Sequence, residues 1–214
     1  MILETAAAPP FFKNGFVVGC DTTRQAALID PGDEVDDLLA FIARETLQVV
    51  AILLTHAHVD HVSGVARAKR ALNVPVHLHR DDLPLYEQAV AHGRLFGLNV
   101  EAPPPVDVFY DGSGPVAIGD LDVFVHHTPG HCPGGVCLQI GRRGERGLDL
   151  FVGDTLFAGS IGRTDLPGGD HATLIRSIQH VLFAFGDEAR VYPGHGEPTT
   201  IGVERQTNPF LTAR

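Results

Sequence analysis

Apolar positions along the chain switch repeatedly between short β-type runs and longer stretches of helical spacing. Residues 15–20 and 26–29 read as two early strands. Asp30-Pro31-Gly32-Asp33 then breaks the pattern. Val35, Leu38, Leu39 and Ile42 follow at helical spacing, with Asp33 as the expected N-cap. VVAILL, residues 49–54, is apolar on both faces and predicts a strand buried on both sides. Residues 62–72 predict a helix, 74–79 a strand, and 80–100 a mostly helical stretch closed off by APPPV at 102–106. Asp111-Gly112 predicts a tight turn. Residues 121–127, 135–140 and 148–152 read as three further strands. Leu174, Ile178, Leu182 and Phe185 form one stripe of a helix over 170–185, and a last strand lies near 190–192. Strands and helices mix in both halves. Two sheets with helices outside fit this order without being forced by it.

Composition narrows the picture. A length of 214 residues predicts one domain, and 44% hydrophobic with 20% charged residues is ordinary for a globular chain. Acidic residues outnumber basic ones 26 to 16, for a net charge of −10, which argues against nucleic acid as a partner. No apolar run approaches the roughly 18 residues of a membrane span, and no basic segment precedes an apolar one at the N-terminus. With 3 cysteines and no export signal, the expectation is a cytoplasmic protein without a disulfide framework.

The 12 histidines are unevenly spread, and the spread carries the chemistry. LTHAHVDH, residues 54–61, places His56, His58, Asp60 and His61 directly after a predicted strand. HTPGHCPGG puts His131 in a Gly/Pro-rich turn after another strand. FVGDTLF puts Asp154 after a third, and YPGHGEP puts His195 between two glycines after a fourth. Side chains in turns at strand ends converge on an open edge, whereas a structural histidine is usually embedded in an apolar pattern. Imidazole and carboxylate donors suit zinc, iron and manganese. The residues divide into two sets: His56, His58 and His131 for one ion, and Asp60, His61 and His195 for a second, with Asp154 bridging.

Together, THAHVDH, His131, GDTLF and PGHG resemble the metallo-β-lactamase superfamily, and more closely its glyoxalase II-like (hydroxyacylglutathione hydrolase-like) branch. The resemblance runs from about Gly15 to the end. GDTLFAGSIGRTD and TTIGVERQTNPFL are similar to short bacterial members of that branch. It implies an α+β fold: an αββα sandwich of two mixed β-sheets flanked by helices. It also implies a single catalytic domain over 1–214 without a separate C-terminal substrate domain. The implied cofactors are two divalent metal ions, zinc first, with iron or manganese also suited. The implied reaction is attack of a metal-bridging hydroxide on a small-molecule thioester such as S-lactoylglutathione, with Asp60 both ligand and orienter. Glyoxalase II carries a lysine and then a tyrosine after the GD motif. Here Arg163 and Asp165 hold those places, so Arg163 is a candidate substrate contact or the partner of Asp165.

Two other activities fit the same ligands. A persulfide dioxygenase needs one iron, held by His56, His131 and Asp154. A lactone or β-lactam hydrolase shares the dinuclear logic. Outside the seven, His77 and His79 imitate an H-x-H motif but fit a strand face. His126 and His127 end a strand, and His171 opens a helix. His92 and His180 read as helix-surface residues. Cys20, Cys132 and Cys137 read as small buried thiols.

Overall fold

The computed structural model describes residues 1–145 and 147–212. The first sheet holds β1 (Ile2–Ala8), β2 (Lys13–Gly19), β3 (Gln25–Ile29), β4 (Gln48–Leu53), β5 (Val76–Leu78) and β6 (Val108–Phe109), adjacent in that order. β1, β2 and β3 pair antiparallel, and β3 through β6 pair parallel. The later strands are β7 (Val116–Ile118), β8 (Leu121–His127), β9 (Val136–Arg142), β10 (Asp149–Gly153), the small hairpin β11 (Leu156–Phe157) and β12 (Ser160–Ile161), then β13 (Arg190–Pro193) and β14 (Thr199–Thr200). The second sheet runs β14-β13-β10-β9-β8-β7, antiparallel except for β10 beside β13. The helices are α1 (Val35–Arg44), α2 (Val59–Val62), α3 (Val65–Leu72), α4 (Leu83–Glu87), α5 (Ala89–Leu95), α6 (His171–His180), α7 (Ile201–Thr207) and α8 (Pro209–Thr212).

Strand periodicity sorts the side chains into layers. In β2, Phe16 and Val18 join Ile29, Leu53, Leu121, Leu138 and Phe151 between the two sheets, and the Phe16 and Phe151 rings meet edge to face at 5.0 Å. Val17 points the other way, into a cluster with Leu38 and Ile42 of α1 and Val65 of α3. Leu150 and Val152 of β10 pack on Leu174 and Ile178 of α6. The architecture is therefore the αββα sandwich of two mixed sheets. Among the described residues, no helix is long and apolar enough to cross a membrane.

Several local expectations change. The helix expected over 62–72 breaks into α2 and α3 where Gly64 N leaves the helical ladder and donates to the Pro31 carbonyl at 3.0 Å; a Cβ at Gly64 would stand 2.3 Å from the Gly32 carbonyl. Asp33 does not cap α1. The cap position is Glu34, and Asp33 instead accepts a hydrogen bond from Ser63 Oγ at 3.1 Å. The helix expected over 170–185 ends at His180 and continues as a 3-10 turn, Leu182–Phe185. Asp170 caps its start by accepting from Thr173 N at 2.7 Å. β1, which the sequence pattern does not predict, pairs along its whole length with β2.

Candidate metal centre

The four candidate segments all follow the C-terminal ends of strands. LTHAHVDH leaves β4, and His131, Asp154 and His195 follow β8, β10 and β13. β8 and β10 both run antiparallel to β9, and β13 runs parallel to β10, so these three ends share one edge of the second sheet. The end of β4 faces them from the first sheet.

All seven predicted side chains meet there. His56, His58 and His131 each offer a donor atom within 4.8 Å of the others, as do Asp60, His61 and His195. His58 Nδ1 lies 2.7 Å from His131 Nε2, and His195 Nε2 lies 3.1 Å from Asp60 Oδ2. Asp154 stands between the sets. Its Oδ2 is 3.6 Å from both His131 Nε2 and His195 Nε2, and its Oδ1 is 3.3 Å from His61 Nε2.

The unpaired atoms point to what belongs here. Among the described residues, His56 Nε2, His61 Nε2 and Asp154 Oδ1 are buried without a hydrogen-bond partner. An unpartnered buried atom such as His56 Nε2 costs about 1–3 kcal/mol, and the three atoms converging on one cleft, with His61 Nε2 and Asp154 Oδ1 facing each other at 3.3 Å, suit a common ligand. Nitrogen and carboxylate donors at this spacing fit divalent metal ions.

The backs of the rings are fixed. His61 Nδ1 donates to Asp30 Oδ2 at 2.9 Å, and His131 Nδ1 donates to the Arg163 carbonyl at 2.7 Å. His56 Nδ1 meets Thr55 Oγ1 at 3.1 Å, and that hydroxyl in turn donates to Asp30. With Nδ1 held by these partners, each ring turns its Nε2 toward the cleft. Sequence reasoning passed over Asp30 as part of a chain break. It also missed Asp82, whose buried carboxylate accepts from Ala57 N at 3.0 Å and Gly134 N at 2.6 Å and so joins two ligand loops. A third missed residue is Asn14, which donates to the carbonyls of Pro193 at 3.1 Å and Gly196 at 2.8 Å and clamps the His195 turn. The one available signal was position, since Asp30 directly follows an apolar strand. The glycine of PGHG has a steric reason: a Cβ on Gly194 would stand 2.1 Å from Asp154 Oδ1 and 2.7 Å from the His61 ring.

Arg163 enters the centre through its carbonyl. Its guanidinium forms a two-point pair with Asp165, both contacts at 2.7 Å, on the exposed surface. Cys132 is buried and donates to Asp82 Oδ2 at 3.2 Å. Burial, then the Asp82 charge, push its thiol well above the usual range. Cys20 and Cys137 are buried as expected, and His126 bonds Gln139 and packs on Phe185.

Burial and mutual charge set the protonation of the metal-free centre. Burial holds His56 well below its ordinary value, and burial with the neighbouring His131 lowers His58 to about 4. For His61, burial acts downward, but the carboxylates of Asp154, Asp60 and Asp30 raise it to about 10. Burial alone would raise Asp154 and Asp60, yet the adjacent His61 draws both below the usual carboxylate range. The raised His61 value stabilises the metal-free fold fully below the unfolded value near 6.5, and this contribution is lost as pH rises through about 10. A metal cation must displace that proton. Loading at pH 8 is therefore expected to release at least one proton per chain, that of His61, with apparent affinity rising as pH rises toward about 10. Calorimetry in buffers of different ionisation enthalpy counts the protons, and zero release contradicts this assignment.

The sequence profile of the metallo-beta-lactamase superfamily matches residues 8–195. The chain belongs to this superfamily. Hydroxyacylglutathione hydrolase GloC of Haemophilus influenzae is similar at 38% identity over 219 aligned positions, covering 100% of both chains. Among solved structures, the BLEG-1 B3 metallo-beta-lactamase superposes with a TM-score of 0.89 at 37% identity, covering 99% of this chain and 100% of its own. TTHA1623 in a di-iron-bound form gives 0.83 at 43% identity over 97% and 100%. ETHE1 from Myxococcus xanthus gives 0.80 at 27% identity over 98% and 84%. Superfamily membership accounts for a metal-binding centre at this edge of the sandwich.

Proposed function

We propose that the chain is a hydrolase of small-molecule thioesters, glutathione-linked ones included, acting in the cytoplasm from a dinuclear centre. The observation that carries this reading is Asp154, set between two complete donor triads and within ion-pair distance of both. His56, His58 and His131 would hold one ion, and Asp60, His61 and His195 the other, with zinc the first choice and iron or manganese also suited. A metal pair supplies Lewis acidity and draws the pKa of a held water from about 15.7 toward about 7.

The protein's own groups do the rest. Asp60, whose Oδ2 lies 3.1 Å from His195 Nε2, would orient the attacking water. Asp30 and the Arg163 carbonyl keep the His61 and His131 rings aimed inward. Cys132 remains a thiol tied to Asp82, so attack does not start from its sulfur.

GloC of Haemophilus influenzae supports the thioester over other carbonyl substrates. A lactone or β-lactam presents a comparable electrophile, as the likeness to BLEG-1 illustrates. The single-iron persulfide dioxygenase reading uses only His56, His131 and Asp154, and leaves the equally well-formed Asp60, His61 and His195 triad without a purpose. Metal quantitation on purified protein, beside an S-lactoylglutathione hydrolysis assay, tests the proposal. The expected result is close to two metals per chain with thiol release. One iron per chain with oxygen uptake on glutathione persulfide overturns it, as does turnover confined to lactones or β-lactams.

A further inference from the structure

Where the two sheets part, at their β6 and β7 edges, a cavity of about 210 Å³ opens, and none of the seven metal donors lines it. Strand register tells which side chains face it. Val76 and Leu78 of β5 join the cluster packed on α1 and α3, so His77 between them turns to the opposite face, beside Leu53 in the layer between the sheets. Val108 of β6 pairs with His77 and shares that face, and Tyr110 lies two residues further on. Val116 of β7 and Val125 of β8 pack on the same layer from the second sheet. The walls are thus three valines, one phenol ring and one imidazole, completed by the loop 111–115.

The imidazole is the odd member. His77 is 8% exposed, and among the described residues neither of its ring nitrogens hydrogen-bonds to protein. Nδ1 is sealed from solvent, so Nε2 is the nitrogen left to the cavity. Burial, against a smaller pull from Asp107, lowers His77 below its ordinary value, and the ring is neutral at pH 7 with one proton. A sealed N–H is a rarer orphan than a sealed lone pair, which places that proton on Nε2 as a donor into the cavity. The donor is held in place. The His77 carbonyl accepts from Leu54 N at 3.1 Å, and the Tyr110 ring, 6.0 Å from the imidazole, donates its hydroxyl to the Leu54 carbonyl at 3.2 Å.

We propose that this cavity is a binding site, separate from the metal centre, for a small uncharged molecule with an apolar body and one carbonyl-type acceptor, which takes the hydrogen bond from His77 Nε2. A dry cavity of about 150 Å³ lined by aliphatic and aromatic side chains holds benzene, so this one suits a molecule a few atoms larger. The valine walls call for the apolar body. Asp111 is exposed at the rim, and with a net charge of −10 it disfavours an anion.

The probe is acetophenone, titrated into zinc-loaded protein and followed by nuclear magnetic resonance. Its control is α-methylstyrene, which has the same shape with a methylene group in place of the carbonyl oxygen. Both are expected to bind the wild type at one equivalent. His77→Leu keeps an apolar wall and is expected to weaken acetophenone by about tenfold, the worth of one buried hydrogen bond, while sparing α-methylstyrene. Val116→Phe, which fills the cavity, is expected to weaken both. In the wild type, the His77 Nε2–H resonance should move with acetophenone and stay in place with α-methylstyrene, a readout that needs no variant. An absence of saturable acetophenone binding would overturn the proposal. So would an unmoved His77 resonance, or acetophenone affinity that survives His77→Leu or falls there no more than that of α-methylstyrene.

Discussion

Asp154→Ala is expected to empty both halves of the metal centre and to lower turnover by about 10³-fold or more. The carboxylate reaches both donor sets, with Oδ2 3.6 Å from His131 Nε2 and from His195 Nε2 and Oδ1 3.3 Å from His61 Nε2. Its loss removes one ligand and one negative charge from each set at once. Lewis-acid stabilisation is worth several kcal/mol, and each 1.36 kcal/mol is a factor of ten in rate, so losing about 4 kcal/mol gives the stated loss. His58→Ala makes the informative contrast. His58 belongs only to the His56, His58, His131 set, so that change strips one ion and leaves the Asp60, His61, His195 set able to load. Metal per chain, measured on the same preparations as thioester turnover, separates the cases: well below one for Asp154→Ala and near one for His58→Ala. An Asp154→Ala protein that keeps two metals rejects a bridging role.

The convergence of the seven side chains was legible in the sequence because five of them sit in turns that follow apolar strands, and Asp60 and His61 come directly after in α2. The residues that aim them were not, because their partners are remote. Asn14 reaches Gly196 across 182 positions, and Asp82 reaches Gly134 across 52. Nothing local to either residue announces that contact. The strands β2 to β4 and β8 to β10 were legible from their short apolar or alternating runs. β1 was not, since ILETAAA is an edge strand whose side chains are half-buried or exposed. The split between α2 and α3 falls where Gly64 N turns to the Pro31 carbonyl at 3.0 Å, again a contact between segments distant in the chain. At α1, two consecutive acids, Asp33 and Glu34, compete for the cap position. A charge buried beneath the loop decides which of them turns inward.

That charge is Lys13, and Lys13→Met is expected to destabilise the fold by about 3–5 kcal/mol, the cost of leaving a buried ion without its partner. The Lys13 and Glu34 side chains are 2% and 1% exposed, with Nζ 2.7 Å from Glu34 Oε1. The ammonium also donates to the Asp30 carbonyl, and Glu34 Oε1 accepts from Gly32 N at 2.8 Å. The loop so held supplies the Asp30 carboxylate behind His61, and a Cβ on its Gly32 would stand 2.2 Å from the Asp60 carbonyl. On its other side, the Lys13 backbone bridges to His195. One residue therefore supports Asp60, His61 and His195 together. Methionine keeps most of the volume and removes the charge, so Glu34 is left ionised and unpaired. For a chain of this length, a melting temperature lower by about 6–20 °C follows, read by thermal denaturation of the metal-free protein. The metal of the Asp60, His61, His195 set should weaken in parallel, while the three-histidine set is affected less. Adding Glu34→Gln should restore part of the stability, because glutamine still accepts from Gly32 N and no buried charge remains. A Lys13→Met protein that melts with the wild type would show that the pair does not support the loop. A double variant less stable than the single would place the cost in the lost hydrogen bonds rather than in the stranded carboxylate.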